Sequence, residues 1–197
     1  MRRRTLFKAM GMMVSASVCG GASPQSVAST SGKSAPPIAR MRFLRPPASG
    51  PEDQFLDRCI RCGQCGQICP NRAIRFFGLE NGISSLDTPY IIPREQGCIL
   101  CMKCGEVCPS GALKEVEREA EDILANVNMG QARVNTRLCY SYQGKTCGVC
   151  YRSCPLQDVA IKAGMLEQPH VTEACVGCGL CERACIQMPQ AIRVYPT

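Results

Sequence analysis

The sequence predicts an α+β protein of short strands, short helices and many loops, arranged as two tandem modules around bound inorganic groups. Three observations carry this. The chain has 197 residues but no Trp and only 5% aromatic residues, so large rings cannot build its core. It has 17 cysteines, and small domains short of apolar core usually rely on disulfides or metals. Finally, a cysteine-rich unit recurs four times after residue 55, each time running through a turn or short helix into a stretch of strand character.

Charge divides the chain before any motif does. Residues 1–50 hold eight basic residues and no acidic one, whereas residues 51–197 hold 15 basic and 16 acidic residues. The body therefore lacks the basic face of a nucleic-acid-binding domain. Residues 1–28 read as an export signal: three arginines precede a mildly apolar run, Ala9 to Ala22, that is too short to span a bilayer. Ser26-Val27-Ala28 or Gly20-Gly21-Ala22 would serve for cleavage. Arg3-Arg4-Thr5-Leu6-Phe7-Lys8 resembles a twin-arginine signal with Leu and Phe in swapped order, the kind used for proteins exported already folded. Export of this type implies a periplasmic protein and removes Cys19 from the functional set.

Residues 29–54 are rich in Ser and Pro, with Pro36-Pro37 and Pro46-Pro47, a composition expected to stay extended and solvated. This segment reads as a linker arm, either a plain tether or a basic arm that grips a partner. Residues 55–197 are the expected four-unit domain.

The first unit is Cys59-x2-Cys62-x2-Cys65-x3-Cys69-Pro70, followed by Ala73 to Phe76. The second is Cys98-x2-Cys101-x2-Cys104-x3-Cys108-Pro109, followed by Ala112 to Lys114. The fourth is Cys175-x2-Cys178-x2-Cys181-x3-Cys185, followed by Ala191 to Val194. The third has Cys147, Cys150, Cys154 and Pro155, followed by Ala160 to Lys162. Between the second and third units, Val116, Ala120, Ile123, Leu124 and Val127 recur at helical spacing, with Gly130 as the expected stop. That helix would join the modules.

The C-x2-C-x2-C-x3-C-P run is the bacterial [4Fe–4S] ligand pattern. Three cysteines within seven residues wrap one cubane, and the fourth leaves in another direction to ligate a partner cluster. Glycines such as Gly63, Gly105, Gly148 and Gly179 suit loops whose backbone must approach the cluster. Zinc sites use two separated cysteine pairs instead. Disulfides suit an exported chain, but thiols repeated every third residue sit too close for efficient loop closure. Counting then decides the third unit. Three complete motifs would leave one fourth-position cysteine without a partner cluster, while adding Cys139, Cys147, Cys150 and Cys154 gives four sets of four. Tyr140 to Thr146 would bulge beside that cluster.

These features together resemble the ferredoxin-type proteins of the periplasmic nitrate reductase and methylamine utilisation systems (NapG and MauM). The resemblance covers essentially the whole chain. It rests on the twin-arginine start, the Leu44-Arg45-Pro46-Pro47 arm, the stretched third motif running into Cys147-Gly148-Val149-Cys150-Tyr151-Arg152-Ser153-Cys154-Pro155-Leu156, and a fourth motif without Pro after Cys185. It implies a tandem bacterial-ferredoxin-like fold with four [4Fe–4S] clusters. It also implies an electron carrier between a quinol-oxidising iron–sulfur protein of the membrane and a periplasmic cytochrome or terminal reductase. The chain would meet the membrane only through that partner. The plain Cys101-Met102-Lys103-Cys104 spacing departs from the nitrate-reductase type and favours the methylamine-utilisation type or an unassigned relative.

Related four-cluster subunits pair the first motif with the fourth and the second with the third. Carried over, Cys59, Cys62 and Cys65 take Cys185; Cys175, Cys178 and Cys181 take Cys69; Cys98, Cys101 and Cys104 take Cys154; and Cys139, Cys147 and Cys150 take Cys108. Sequential pairing, first with second and third with fourth, fits the loop lengths equally well. Two other roles share the same motifs: a subunit of a molybdenum-enzyme or hydrogenase-type complex, and a redox maturation factor for a periplasmic enzyme such as methylamine dehydrogenase.

No nucleophile–base set or phosphate loop appears, so an enzyme acting on a small-molecule substrate is not expected. His170, the only histidine, reads as an exposed loop residue, and Tyr140, Tyr142 and Tyr151 as aromatic cover for the third cluster.

Overall fold

The computed structural model describes residues 43–197. The expected signal, its cleavage sites, Cys19 and the linker from 29 to 42 lie outside the described residues. Among the described residues, no helix is long and apolar enough to cross a membrane.

Each cysteine loop turns into a short helix through a left-handed residue directly after Cys62, Cys101, Cys147 and Cys178. Gly63 (φ 75°), Met102 (57°), Gly148 (59°) and Gly179 (85°) hold that place. They precede α2 (Gln64–Ile68), α3 (Lys103–Glu106), α5 (Val149–Arg152) and α6 (Leu180–Ala184). In the third unit, therefore, Cys147 occupies the second-cysteine place, and Cys139 stands where the other units have their first. The residues between them form a 3₁₀ turn, Tyr140–Gln143, closed by left-handed Gly144.

Among the described residues, the strands pair as three antiparallel ladders. β1 (Ile74–Phe76) pairs with β2 (Pro89–Ile91), β3 (Gln131–Val134) with β6 (Ile192–Tyr195), and β4 (Ile161–Ala163) with β5 (Pro169–Val171). In β6, Ile192 and Val194 face the core and alternate with more exposed neighbours, the period-2 pattern of a half-buried strand. Strands thus follow the first, third and fourth units as expected. Ala112 to Lys114, after the second unit, is not a strand. It meets its neighbour at one hydrogen bond, from the amide of Lys114 to the carbonyl of Ala48 (3.1 Å), too little for a ladder.

That neighbour overturns part of the linker expectation. Residues 43–54 belong to the folded body: Leu44, Arg45, Pro46 and Ala48 are buried, and α1 begins at Glu52 (Glu52–Arg58). Leu44 exchanges hydrogen bonds with Ile91 (2.8 and 2.7 Å). The Arg45 guanidinium lies over the rings of Phe55 (4.9 Å), Phe43 and Phe77, and donates to Glu52 Oε2 (2.8 Å), Thr88 Oγ1 (3.0 Å) and the carbonyl of Pro89 (2.7 Å). Composition misled here because one arginine with three aromatic partners and a full set of acceptors anchors a segment whose average polarity suggests none.

The connecting helix is shorter than its periodicity suggests. α4 spans Ala120–Asn126 and ends with the Val127 amide bonded to Ile123. Val116 is buried ahead of it in irregular chain. Gly130 does not stop the helix. Its φ of 151° serves a close approach, for a Cβ there would lie 2.2 Å from the carbonyl oxygen of Tyr195. One cluster of buried side chains, Leu44, Ile91, Val116, Ile123, Val176 and Ile192 among them, runs through both modules. A smaller one joins Phe55, Cys104, Ala112 and Leu113 in the first.

Candidate metal centres

The sixteen cysteines from Cys59 to Cys185 are free thiols gathered in four quartets. In the first, Cys59, Cys62, Cys65 and Cys108 line a cavity with Phe55, Phe76 and Leu113, enclosing about 360 Å³ of space that includes its mouth. In the third, Cys139, Cys147, Cys150 and Cys185 line one of about 380 Å³ with Tyr140 and Ile192. In the fourth, Cys154, Cys175, Cys178 and Cys181 line one of about 390 Å³ with Leu156, Val176 and Val194. The second quartet is Cys98, Cys101 and Cys104 with Cys69. Burial pushes the Cys98 thiol up to about 12, the amide of Leu100 opposes this, and the charges of Cys104, Cys101 and Cys69 add to it.

The same physics marks the other sets. Burial, and then the charges of Cys59, Cys62 and Cys108, push Cys65 up to about 12 against the pull of the Gly66 amide. Cys150 reaches about 12 through burial and Cys139, with Cys185 and Cys147 contributing, and Cys178 through burial and Cys154. Cys108 runs the other way. Burial raises it, but the amides of Leu113, Ser110 and Ala112 and the Ser110 hydroxyl outweigh that, and its thiol ends below the usual range.

Thiols this close and dry resist ionising together, and a bound cationic centre that takes them as thiolates relieves the conflict. Among the described residues no three His, Cys, Asp or Glu side chains converge on one ion. The quartets surround volumes rather than points. A four-thiolate donor set around such a volume fits an iron–sulfur cubane. Ser141 supports that fit. It stands in the wall of the third cavity, and its hydroxyl is buried without a protein partner, so a sulfur acceptor there would satisfy it.

All sixteen sequence-derived positions fall in quartets, but the pairing carried over from related subunits is wrong for this chain. Cys108 joins the first motif, Cys69 the second, Cys185 the third and Cys154 the fourth, which is sequential pairing. The physical cause lies in local packing. α2 packs on α3 and α5 on α6, and the Asn71 amide donates to the carbonyl of Gly97 (2.6 Å), bringing the chain after Cys69 beside Cys98.

Quartets also adjoin one another. α2 of the first unit packs on α3 of the second, the amide of Cys98 in the second quartet bonds the carbonyl of Cys178 in the fourth, and α6 of the fourth unit packs on α5 of the third. The quartets therefore stand in the order first, second, fourth, third. Tyr140 covers the third cavity, as expected. Tyr142 instead donates to the carbonyl of Pro169 (3.3 Å), and Tyr151 to Asp158 (2.9 Å). His170 is exposed, but in β5 rather than a loop. Ser141 and Arg45 were not singled out in the sequence as functional side chains. Ser141 has no sequence signal, whereas Arg45 sits among Phe43, Phe55 and Phe77 in a chain with few rings.

Two family models match at these loops: a 4Fe-4S dicluster domain over residues 58–112 and a 4Fe-4S binding domain over 172–185. With the cysteine quartets, they define a [4Fe–4S] ferredoxin-type protein, an electron carrier and not an enzyme. The chain is 40% identical to the ferredoxin-type protein NapG of Escherichia coli over 166 residues, 78% of this chain and 70% of that protein. It is 35% identical to the methylamine utilization ferredoxin-type protein MauM of Methylorubrum extorquens over 167 residues, 80% of this chain and 74% of that one. A MauM from Methylobacillus flagellatus matches at 31% over 98% of this chain and 83% of its own. The chain belongs to the NapG/MauM family of ferredoxin-type proteins.

Proposed function

We propose that each quartet holds one [4Fe–4S] cluster and that electrons pass along the row first, second, fourth, third. The observation that carries this reading is the adjacency of the quartets, each unit packed against or hydrogen-bonded to the next in the row. The two end quartets are the points of exchange. Cys62 of the first is exposed, and the exposed side chains of Ile60, Leu79 and Ile83 belong to the same module. At the other end Ile186, directly after Cys185, is exposed. Potentials along the row are set by hydrogen bonds to sulfur, burial and local charge.

The carrier acts in the periplasm after export by its twin-arginine signal. It takes electrons from a membrane-bound quinol-oxidising iron–sulfur protein and delivers them to a cytochrome or terminal reductase. The mixed charge of the body supports a protein partner over nucleic acid. Chemical analysis of anaerobically purified protein tests the cluster number. Roughly sixteen irons, with matching sulfide, are expected from four cubanes. Eight irons, or a colourless preparation, would contradict it.

A further inference from the structure

The modules meet where two cysteine loops lie back to back. The amide of Cys98, in the second quartet, donates to the carbonyl of Cys178, in the fourth, at 2.7 Å. The approach is possible because both loops are bare on that side. A Cβ on Gly97 would lie 2.7 Å from the amide nitrogen of Leu180 and 2.9 Å from the carbonyl carbon of Gly179. A Cβ on Gly179 would lie 2.7 Å from Pro93 Cβ. Gly97 is thus required for space, and Gly179, at φ 85°, for both space and backbone conformation.

The contact is held from both flanks. Asn71 Nδ2 donates to the carbonyl of Gly97 (2.6 Å), and Gln96 Nε2 donates to Asn71 Oδ1 (2.8 Å), fixing the amide. Arg94 reaches across the junction and donates to the carbonyls of Glu182 (3.2 Å), Arg183 (3.3 Å) and Cys185 (3.2 Å) at the end of α6. A cation on the free carbonyls of a helix end is favourable.

We infer that the Cys98–Cys178 hydrogen bond is the crossing for electrons between the two modules, with Gly97 and Gly179 as the positioning residues that set its length. The inference rests on the four-cluster relay above. One electron leaves the group held by the second quartet, which is oxidised by one, and reduces the group held by the fourth by one; the reverse is equally balanced. No proton or co-reactant is required. The path runs through Cβ, Cα and the amide of Cys98, across the hydrogen bond, and through the carbonyl, Cα and Cβ of Cys178. Electronic coupling decays less steeply along such bonds than across a gap.

Gly97→Ala in the full, cluster-loaded chain tests this. Iron content and midpoint potentials are measured first. Equilibration between modules is then followed after a photoreduction pulse by freeze-quench EPR. Unchanged clusters and potentials with at least a tenfold slower equilibration are expected; intact clusters with an unchanged rate would overturn the inference. Should the variant lose clusters, Gln96→Ala loosens the Asn71 amide that holds the Gly97 carbonyl, without adding bulk and without removing the Asn71–Gly97 bond. A two- to fivefold slowing is then expected, and an unchanged rate overturns the inference. A parent chain with fewer than four clusters, or with no exchange between modules, refutes the relay itself before any variant is made.

Discussion

The first module and the second share one plan, an antiparallel strand pair beneath two cysteine loops, and they close their outer edges differently. In the second, β3 and β6 pair over four residues, with Ala132 opposite Val194 and Val134 opposite Ile192. In the first, the corresponding edge is the arm at 44–48, which meets Ile91 on one side and Lys114 on the other. Side chains replace the missing ladder there: Arg45 locks Phe43, Phe55 and Phe77 together, and Phe55 also walls the first quartet's cavity. The first quartet has no buried cysteine, whereas Cys139 and Cys150 of the third are buried. A repeated cysteine pattern therefore fixes where the quartets form, while the surrounding chain decides how open each one is.

Removing the side chain that carries the first module's edge should have the largest effect. Arg45→Ala strips a desolvated cation–π site and leaves buried acceptors unpaired, and should destabilise the module by about 3 kcal/mol. A denaturant midpoint unchanged from the parent would break the comparison. The matching cation in the second module, Arg133 over Tyr195 (5.4 Å), is exposed and merely decorates an existing ladder. Arg133→Ala should cost less than about 0.5 kcal/mol in the same assay.

Between these lies a change in potential rather than stability. Ser141→Ala removes the partnerless hydroxyl from the third cavity. Loss of one hydrogen bond of about 1 kcal/mol should lower the potential of the third cluster alone, by about 40 mV. An EPR-monitored redox titration in which all four potentials stay put would contradict that role.

The cysteine spacing made the four units legible, and the structure gathers the cysteines of those units into four quartets. Even the stretched third unit was readable: Gly148 follows Cys147 as Gly63 follows Cys62, and the backbone is left-handed at both. Pairing was not legible, since loop length allows both arrangements and the deciding bond, Asn71 to Gly97, is a tertiary contact. The packed arm escaped for a related reason. Leu44-Arg45-Pro46-Pro47 looks like linker until Arg45 meets rings from residues 43, 55 and 77. Gly130 had a visible role as a helix stop, but the real demand was space beside Tyr195 and Pro196.

The sequential quartets are tested most directly by the iron content of the double variant Cys69→Ala Cys98→Ala. If both cysteines hold the second cluster, that cluster alone is lost and roughly twelve irons remain, with the other three clusters visible by EPR. Roughly eight irons, or two separate three-iron signals, would place Cys69 and Cys98 on different clusters and contradict the arrangement.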